Sequence, residues 1–323
     1  MRAAVLETPG EAPRVREHPD PGARPGSTLI AVTAAPIVPL DQLIASGTSY
    51  FGRPATPYVP GTQGVGVVVR SDTHVTGTRV FVATTAGMAP GDGTLAEFCL
   101  VPDDAVVPLG PDVPDAAAAA LGMSAVAAWM ALTERGRLQP GERVLVLGAG
   151  GAVGQVAVAA ATVLGAGRVV AVCRSAEAQE RARRAGADAV VPFSGDVDEL
   201  TARFQDACGG SVDVVVDPVF GIAATAASRV LANGGRLVNL GGASGDRAEF
   251  SSAVLRSRTA DVLGYTNAAL TPDQRRRALE AVFRHAGEGR LAVVHEQVPL
   301  AEAASAWRRQ ADGATDVRLV LTP

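Results

Sequence analysis

At 323 residues, 47% of them hydrophobic and 19% charged, the chain holds about two domains of roughly 150 residues with a sizeable core. A formal net charge of −4 argues against a general polyanion-binding surface, so nucleic acid is not an expected partner. All 29 basic residues are arginine, which reads as coding bias, since no physical requirement bars lysine from every surface position.

The first hundred residues predict short strands punctuated by Pro and Gly: RAAVLE, STLIAVTAA, GVGVVV, TRVFVA and TLAEFCLVP. Between the second and third lies VPLDQLIASGTSYFGRPATPYVPGT, a short helical patch followed by a Pro-rich loop. From about residue 115 the character changes. PDAAAAALGMSAVAAWMALTERGRL has helical spacing, with Pro114 and Asp115 as a helix start. Strands and helices then alternate: ERVLVLG, GQVAVAAATVLGA, RVVAVC, SAEAQERARRAG, DAVVPF, VDELTARFQDACG, VDVVVDPV, GIAATAASRVLANG and GRLVNLGG. These strands are continuous apolar runs, as in a parallel sheet covered on both faces, and such βαβ units predict a doubly wound α/β fold. TADVLGYTN adds a strand, TPDQRRRALEAVFRHAGEG an amphipathic helix, and the C-terminus a helix and a strand. The expected organisation is a β-rich domain over 1–117, an α/β domain over 118–267, and a segment 268–323 that returns to the first.

Cys99, Cys173 and Cys208 are far apart and odd in number, which suits reduced thiols in a cytoplasmic protein. The N-terminus carries early Pro and acidic residues rather than a signal peptide's apolar run, and the apolar stretches are interrupted, so no membrane span is expected.

The stretch VLVLGAGGAVGQVA carries the clearest chemistry. A strand ends at Leu147, and Gly148, Gly150, Gly151, Ala152, Val153 and Gly154 lead into a helix. A dinucleotide site asks for a Gly at the tight turn, bare backbone under the pyrophosphate, and a Gly where the helix packs closely. The first-turn N–H groups and the helix dipole then face the phosphates. The spacing here is G-x-x-G-x-x-G rather than G-x-G-x-x-G. Twenty residues past Gly154, where NAD enzymes carry an acid for the ribose 2′-OH, stands Arg174, followed by Ser175. An arginine suits a 2′-phosphate, so NADPH is the expected cofactor; the bland alternative is an exposed loop arginine.

These residues sit in a longer pattern of PYVPGTQGVGVV, GTLAEFCLVP, ALGMSAVAAWMAL, VLVLGAGGAVG, RRAGADAVV, GGRLVNLGG and VPLAEAASAW. Taken together, the chain resembles the medium-chain dehydrogenase/reductase superfamily and, within it, the zinc-independent quinone oxidoreductases. The resemblance implies a GroES-like β-rich catalytic domain beside a Rossmann domain. Where zinc members carry Gly-His-Glu, this chain has Gly61-Thr62-Gln63, and its four histidines form no pair at ligand spacing, so no metal is expected.

The resemblance implies reduction of a quinone or an activated enone by hydride from nicotinamide C4. At the reacting end the chain keeps Pro39, Asp41, Gly47 and Tyr50 but has Val38 where relatives have Asn. Tyr50 is the candidate proton donor, with Val38, Asp41, Thr62 and Asn267 as candidate substrate contacts. Asp41 also suits capping of the short helix. Ser124, Val219, Gly241, Gly242, Tyr265 and Arg318 are further candidate cofactor contacts, the glycines and Val219 because ligands bind beyond the carboxyl ends of parallel strands. A homodimer joined through the last Rossmann strand is expected from the relatives. The competing readings are an NADPH-binding protein with a structural or regulatory role, which Val38 favours, and a zinc-type alcohol dehydrogenase, which the missing ligands disfavour.

Overall fold

A computed structural model describes residues 1–323, and the chain divides into two compact units, Met1–Gly122 with Val293–Pro323, and Met123–Ala292.

In the first unit, β1 (Arg2–Val5) and β2 (Arg14–Glu17) form an antiparallel pair. The long strand β3 (Ser27–Pro36) leads into helix α1 (Pro39–Ser46), then β4 (Gln63–Arg70), β5 (Arg79–Ala83), β6 (Phe98–Pro102) and β7 (Val106–Pro108). Alternate residues of β3 are buried, Thr28, Ile30, Val32 and Ala34, as expected of a sheet with one face on a core. Helix α2 (Asp115–Met130) starts in this unit.

The second unit holds β8 (Arg143–Val146), α3 (Ala152–Val163), β9 (Arg168–Cys173), α4 (Ala176–Arg184), β10 (Ala189–Pro192) and α5 (Val197–Ala207). There follow β11 (Val212–Asp217), α6 (Gly221–Ser228), β12 (Leu231–Asn239), α7 (Ser252–Arg258), β13 (Asp261–Gly264) and α8 (Pro272–Gly287). The strands form one parallel sheet in the order β10-β9-β8-β11-β12-β13. This is the doubly wound order, with its topological switch between β8 and β11. Val144, Leu145, Val146, Val214, Val215 and Val216 are all fully buried. Each such side chain contributes roughly 1.5–3 kcal/mol, which is why these strands read as unbroken apolar runs.

The chain returns to the first unit through β14 (His295–Pro299), α9 (Ala303–Ala311) and β15 (Arg318–Thr322). β15 pairs antiparallel with β3 and parallel with β14, completing a sheet ordered β14-β15-β3-β4-β5-β7, with β6 also on β3.

Several expectations change. The return begins at Val293, not at 268, because α8 buries Leu279, Val282 and Phe283 in the second unit and sets His285 against Trp129 at 5.3 Å. The first unit likewise runs to Gly122 rather than 117. The Ala-rich helix is not continuous: Gly122, at φ 38° and ψ −137°, breaks it, and the Gln63 side chain fills the space where a Cβ would stand. Over Asp115–Arg135 this helix is long and apolar enough by composition to cross a membrane, but 67% of its most apolar window is buried within the protein. Strands β2, β7 and β14 lacked a clear sequence signal. All three are short, and β2 and β14 are largely polar.

Candidate active site

The glycine turn lies at the carboxyl end of β8, at the switch of the sheet. Gly148 has φ 62°, and a Cβ there would stand 2.5 Å from Val219 Cγ1, so the tight turn needs glycine on both counts. A Cβ on Gly154 would lie 2.4 Å from the Gly148 carbonyl oxygen, which lets α3 pack directly on the turn. Gly151 is different. It has ordinary φ, −77°, and nothing nearer than 3.7 Å to its missing Cβ, leaving bare accessible backbone. Helix α3 has no side-chain cap at this start. The N–H groups of its first turn, at Ala152 and Val153, therefore have no intrahelical acceptor, the arrangement that receives an anion.

Arg174 follows β9 directly and is exposed. Its Nη2 donates to Ser244 Oγ at 3.2 Å, and its guanidinium lies over the Phe193 ring, 5.5 Å from the centroid. Ser175 caps α4, its Oγ accepting from Ala178 N at 3.1 Å, which leaves its hydroxyl proton free to donate. Asp188, the next aspartate, accepts from Val169 N at 2.7 Å, at the start of β9 rather than at its carboxyl end.

Beyond β11, the buried Asp217 carboxylate accepts from Val219 N at 3.0 Å and Phe220 N at 2.7 Å. Burial pushes its pKa up, against these backbone hydrogen bonds. Gly241 sits close to this turn, a Cβ on it lying 3.1 Å from the Pro218 carbonyl oxygen, while Gly242 is exposed. Tyr265 Oη donates to Asn267 Oδ1 at 2.7 Å, and Asn267 Nδ2 donates to the Met123 carbonyl at 2.8 Å. This pair is thus committed to the restart of α2 after its break. Ser124, one residue on, is half-buried.

In the first unit, Asp41 is fully buried. Its Oδ2 accepts from Val38 N at 2.9 Å, and its Oδ1 from both Thr62 N and Thr62 Oγ1 at 2.8 Å. One carboxylate thereby ties the entry of α1 to the start of β4. Burial pushes its pKa up to about 6, with the hydrogen bonds and the charge of Arg318 pulling it back. Arg318, expected to face the cofactor, is buried on β15, and its Nη1 donates to the Ile37 carbonyl at 3.1 Å. Burial pulls its pKa down to about 10, opposed by Asp41. A buried guanidinium engaged in this way does not fit an exposed phosphate contact. Tyr50 is 78% exposed, its ring tilted against that of Phe51 with centroids 4.2 Å apart.

Residues 24–115 match the family model described as alcohol dehydrogenase GroES-like domain, and residues 152–284 the one described as zinc-binding dehydrogenase. The chain belongs to the medium-chain dehydrogenase/reductase superfamily. Within the superfamily it is similar to quinone oxidoreductases: the solved quinone oxidoreductase of Thermus thermophilus, described with its NADPH complex, superposes with TM-score 0.84 at 29% identity, covering 100% of both chains. A solved NAD-dependent alcohol dehydrogenase superposes with TM-score 0.87 at 26% identity, again over 100% of both. A phenolphthiocerol/phthiocerol polyketide synthase polypeptide of Mycobacterium tuberculosis is 32% identical over 335 residues, covering 99% of this chain. The chain spans only 15% of that synthase polypeptide's length.

For a member of this superfamily the donor set is poor in metal ligands. No three His, Cys, Asp or Glu side chains come together, and the hydroxyl of Thr62 is already bonded to Asp41. Sequence reasoning missed Ser244 and Phe193 as partners of Arg174. Ser244 lies 70 residues away with no signal of its own, whereas Phe193, just past β10 beside β9, follows from the parallel pairing of the two strands.

Proposed function

We propose that this protein is an NADPH-dependent, metal-free reductase of quinones or activated enones, including enoyl-type biosynthetic intermediates. The observation that carries it is the glycine turn at the sheet's switch point with Arg174, rather than an acid, at the end of the neighbouring strand. A bound nicotinamide supplies the hydride, and the chain's own residues bind and orient. The first-turn N–H groups at Ala152 and Val153 hold the pyrophosphate, and Arg174 holds the 2′-phosphate. Val219, Gly241 and Gly242 supply backbone beyond the strand ends. Tyr50, with its side chain largely open to solvent, is the candidate proton donor to the developing enolate oxygen. Asp41 and Thr62 fix the backbone at the reacting end.

A quinone or enone suits this chain because its charge spreads over a conjugated system on reduction, whereas a simple carbonyl asks for a Lewis acid that the residues present do not hold. The free, buried Cys99, Cys173 and Cys208 suit a reducing cytoplasm. The edge strand β13, with Val262 exposed beside a helix α7 that buries no residue, supports pairing of two copies along that edge.

NADPH oxidation, followed at the nicotinamide absorbance with a panel of quinones and enones, tests the reading. Turnover with NADPH that EDTA leaves unchanged is expected. Binding of NADPH without turnover of any panel member supports the structural or regulatory role instead, and loss of activity in EDTA with zinc found by metal analysis overturns the metal-free mechanism.

A further inference from the structure

Phe220 adopts φ 59° and ψ −151°, a region that in practice only glycine occupies. Thr259, also at positive φ, sits in the ordinary left-handed region at a helix end, with ψ 42°. Phe220 does not. It is followed by Gly221, also at positive φ, 62°. Strain of this kind persists only where its surroundings hold it, and it clusters at functional sites.

The surroundings here are specific. The Asp217 carboxylate fixes the Phe220 N–H at 2.7 Å. The Phe220 ring meets Phe250 edge-on, centroids 6.1 Å apart, at the far end of the loop that follows β12. Within that loop Ser244 N donates to the Val219 carbonyl at 2.7 Å. A Cβ on Gly221 would stand only 3.0 Å from the Ser244 carbonyl oxygen. The strained turn and the loop are therefore pressed together at Ser244, and it is Ser244 Oγ that accepts from Arg174 Nη2. The Phe193 ring supports the same guanidinium.

We propose that Phe220 is a positioning residue for coenzyme discrimination: its strained turn holds Ser244 in place, and Ser244 with Phe193 aims Arg174 at the 2′-phosphate. This rests on the reading of Arg174 as the 2′-phosphate contact. A glycine at 220 relaxes the backbone and removes the ring contact with Phe250, so the loop is no longer fixed and Arg174 loses its aim. The α3 N–H groups that receive the pyrophosphate lie outside this loop, so NADH, which has no 2′-phosphate, senses the change far less.

The test is Phe220→Gly in the full-length chain, titrated separately with NADPH and NADH by nicotinamide fluorescence, with the unfolding midpoint of each protein recorded. The expected result is an NADPH Kd weaker by about tenfold, the scale of one charge-assisted hydrogen bond, with the NADH Kd changed less than about twofold. Equal weakening for both coenzymes, or none for either, overturns the positioning role and leaves Phe220 a packing residue. Should Phe220→Gly fail to fold, Ser244→Ala makes the same comparison, with a selective NADPH loss of about tenfold expected and an unselective or absent one overturning it. A wild type without preference for NADPH removes the coenzyme reading and this inference together. A wild type that prefers NADPH beside variants that keep the preference removes this inference alone.

Discussion

Asp41→Asn probes the buried cluster that ties the entry of α1 to the start of β4. The carboxyl is 2% exposed and its pKa is pushed from 3.8 up to about 6, chiefly by burial. A folded-state pKa above the unfolded one means that the folded chain binds the proton more tightly. The resulting stability is fully present below about pH 4 and is lost as the pH rises through about 6. At 1.36 kcal/mol per pH unit, the loss amounts to about 3 kcal/mol by pH 7. Asparagine cannot ionise, so the variant lacks this dependence. Its absolute stability also carries the cost of a Val38 N–H facing an amide instead of a carboxylate. The informative quantity is therefore the wild-type minus variant stability, in which groups common to both proteins cancel. Urea unfolding at pH 4, 5, 6 and 7, followed by Trp307 fluorescence, reads the first unit, provided both proteins carry Trp129→Phe to silence the other tryptophan. The difference should fall by about 2.4 kcal/mol between pH 4 and 7, since part of the loss has already occurred at pH 4. Parallel curves would refute the view that Asp41 is held as a costly buried charge.

The glycines of the turn should separate. Gly154→Ala puts a methyl against backbone that cannot yield and should cost about 1–3 kcal/mol or more in unfolding free energy, whereas Gly151→Ala should leave the unfolding midpoint nearly unchanged and weaken coenzyme binding. Arg174→Asp should weaken NADPH by at least about tenfold more than NADH in equilibrium titrations, and equal loss for both would remove the 2′-phosphate role. Tyr50→Phe should leave thermal stability intact, since the side chain is 78% exposed, and lower kcat by about 10²-fold or more if its proton is the one transferred; an unchanged kcat sinks that role.

The parallel sheet was legible because strands covered on both faces must be apolar throughout, and the glycine turn because its steric demands leave little choice of residue. Arg318 was misread for a physical reason: charge at a strand start is visible in sequence, but burial beside Asp41 depends on β15 reaching β3 across more than 280 residues. The break at Gly122 was hidden because glycine inside an Ala-rich run is compatible with a helix until a side chain such as Gln63 occupies its open side. The full set of partners around Arg174 was equally hidden, since hydrogen bonds to a distant loop leave no local pattern. The dividing line falls between properties that one element imposes on its own residues and those that arise only when distant elements meet.

A crystal structure of the NADPH complex tests the central claim most directly. The expected result is the pyrophosphate on the N–H groups of Ala152 and Val153, with the 2′-phosphate within hydrogen-bond distance of the Arg174 guanidinium. A dinucleotide bound away from the glycine turn, or a 2′-phosphate that leaves Arg174 on Ser244 untouched, would contradict it.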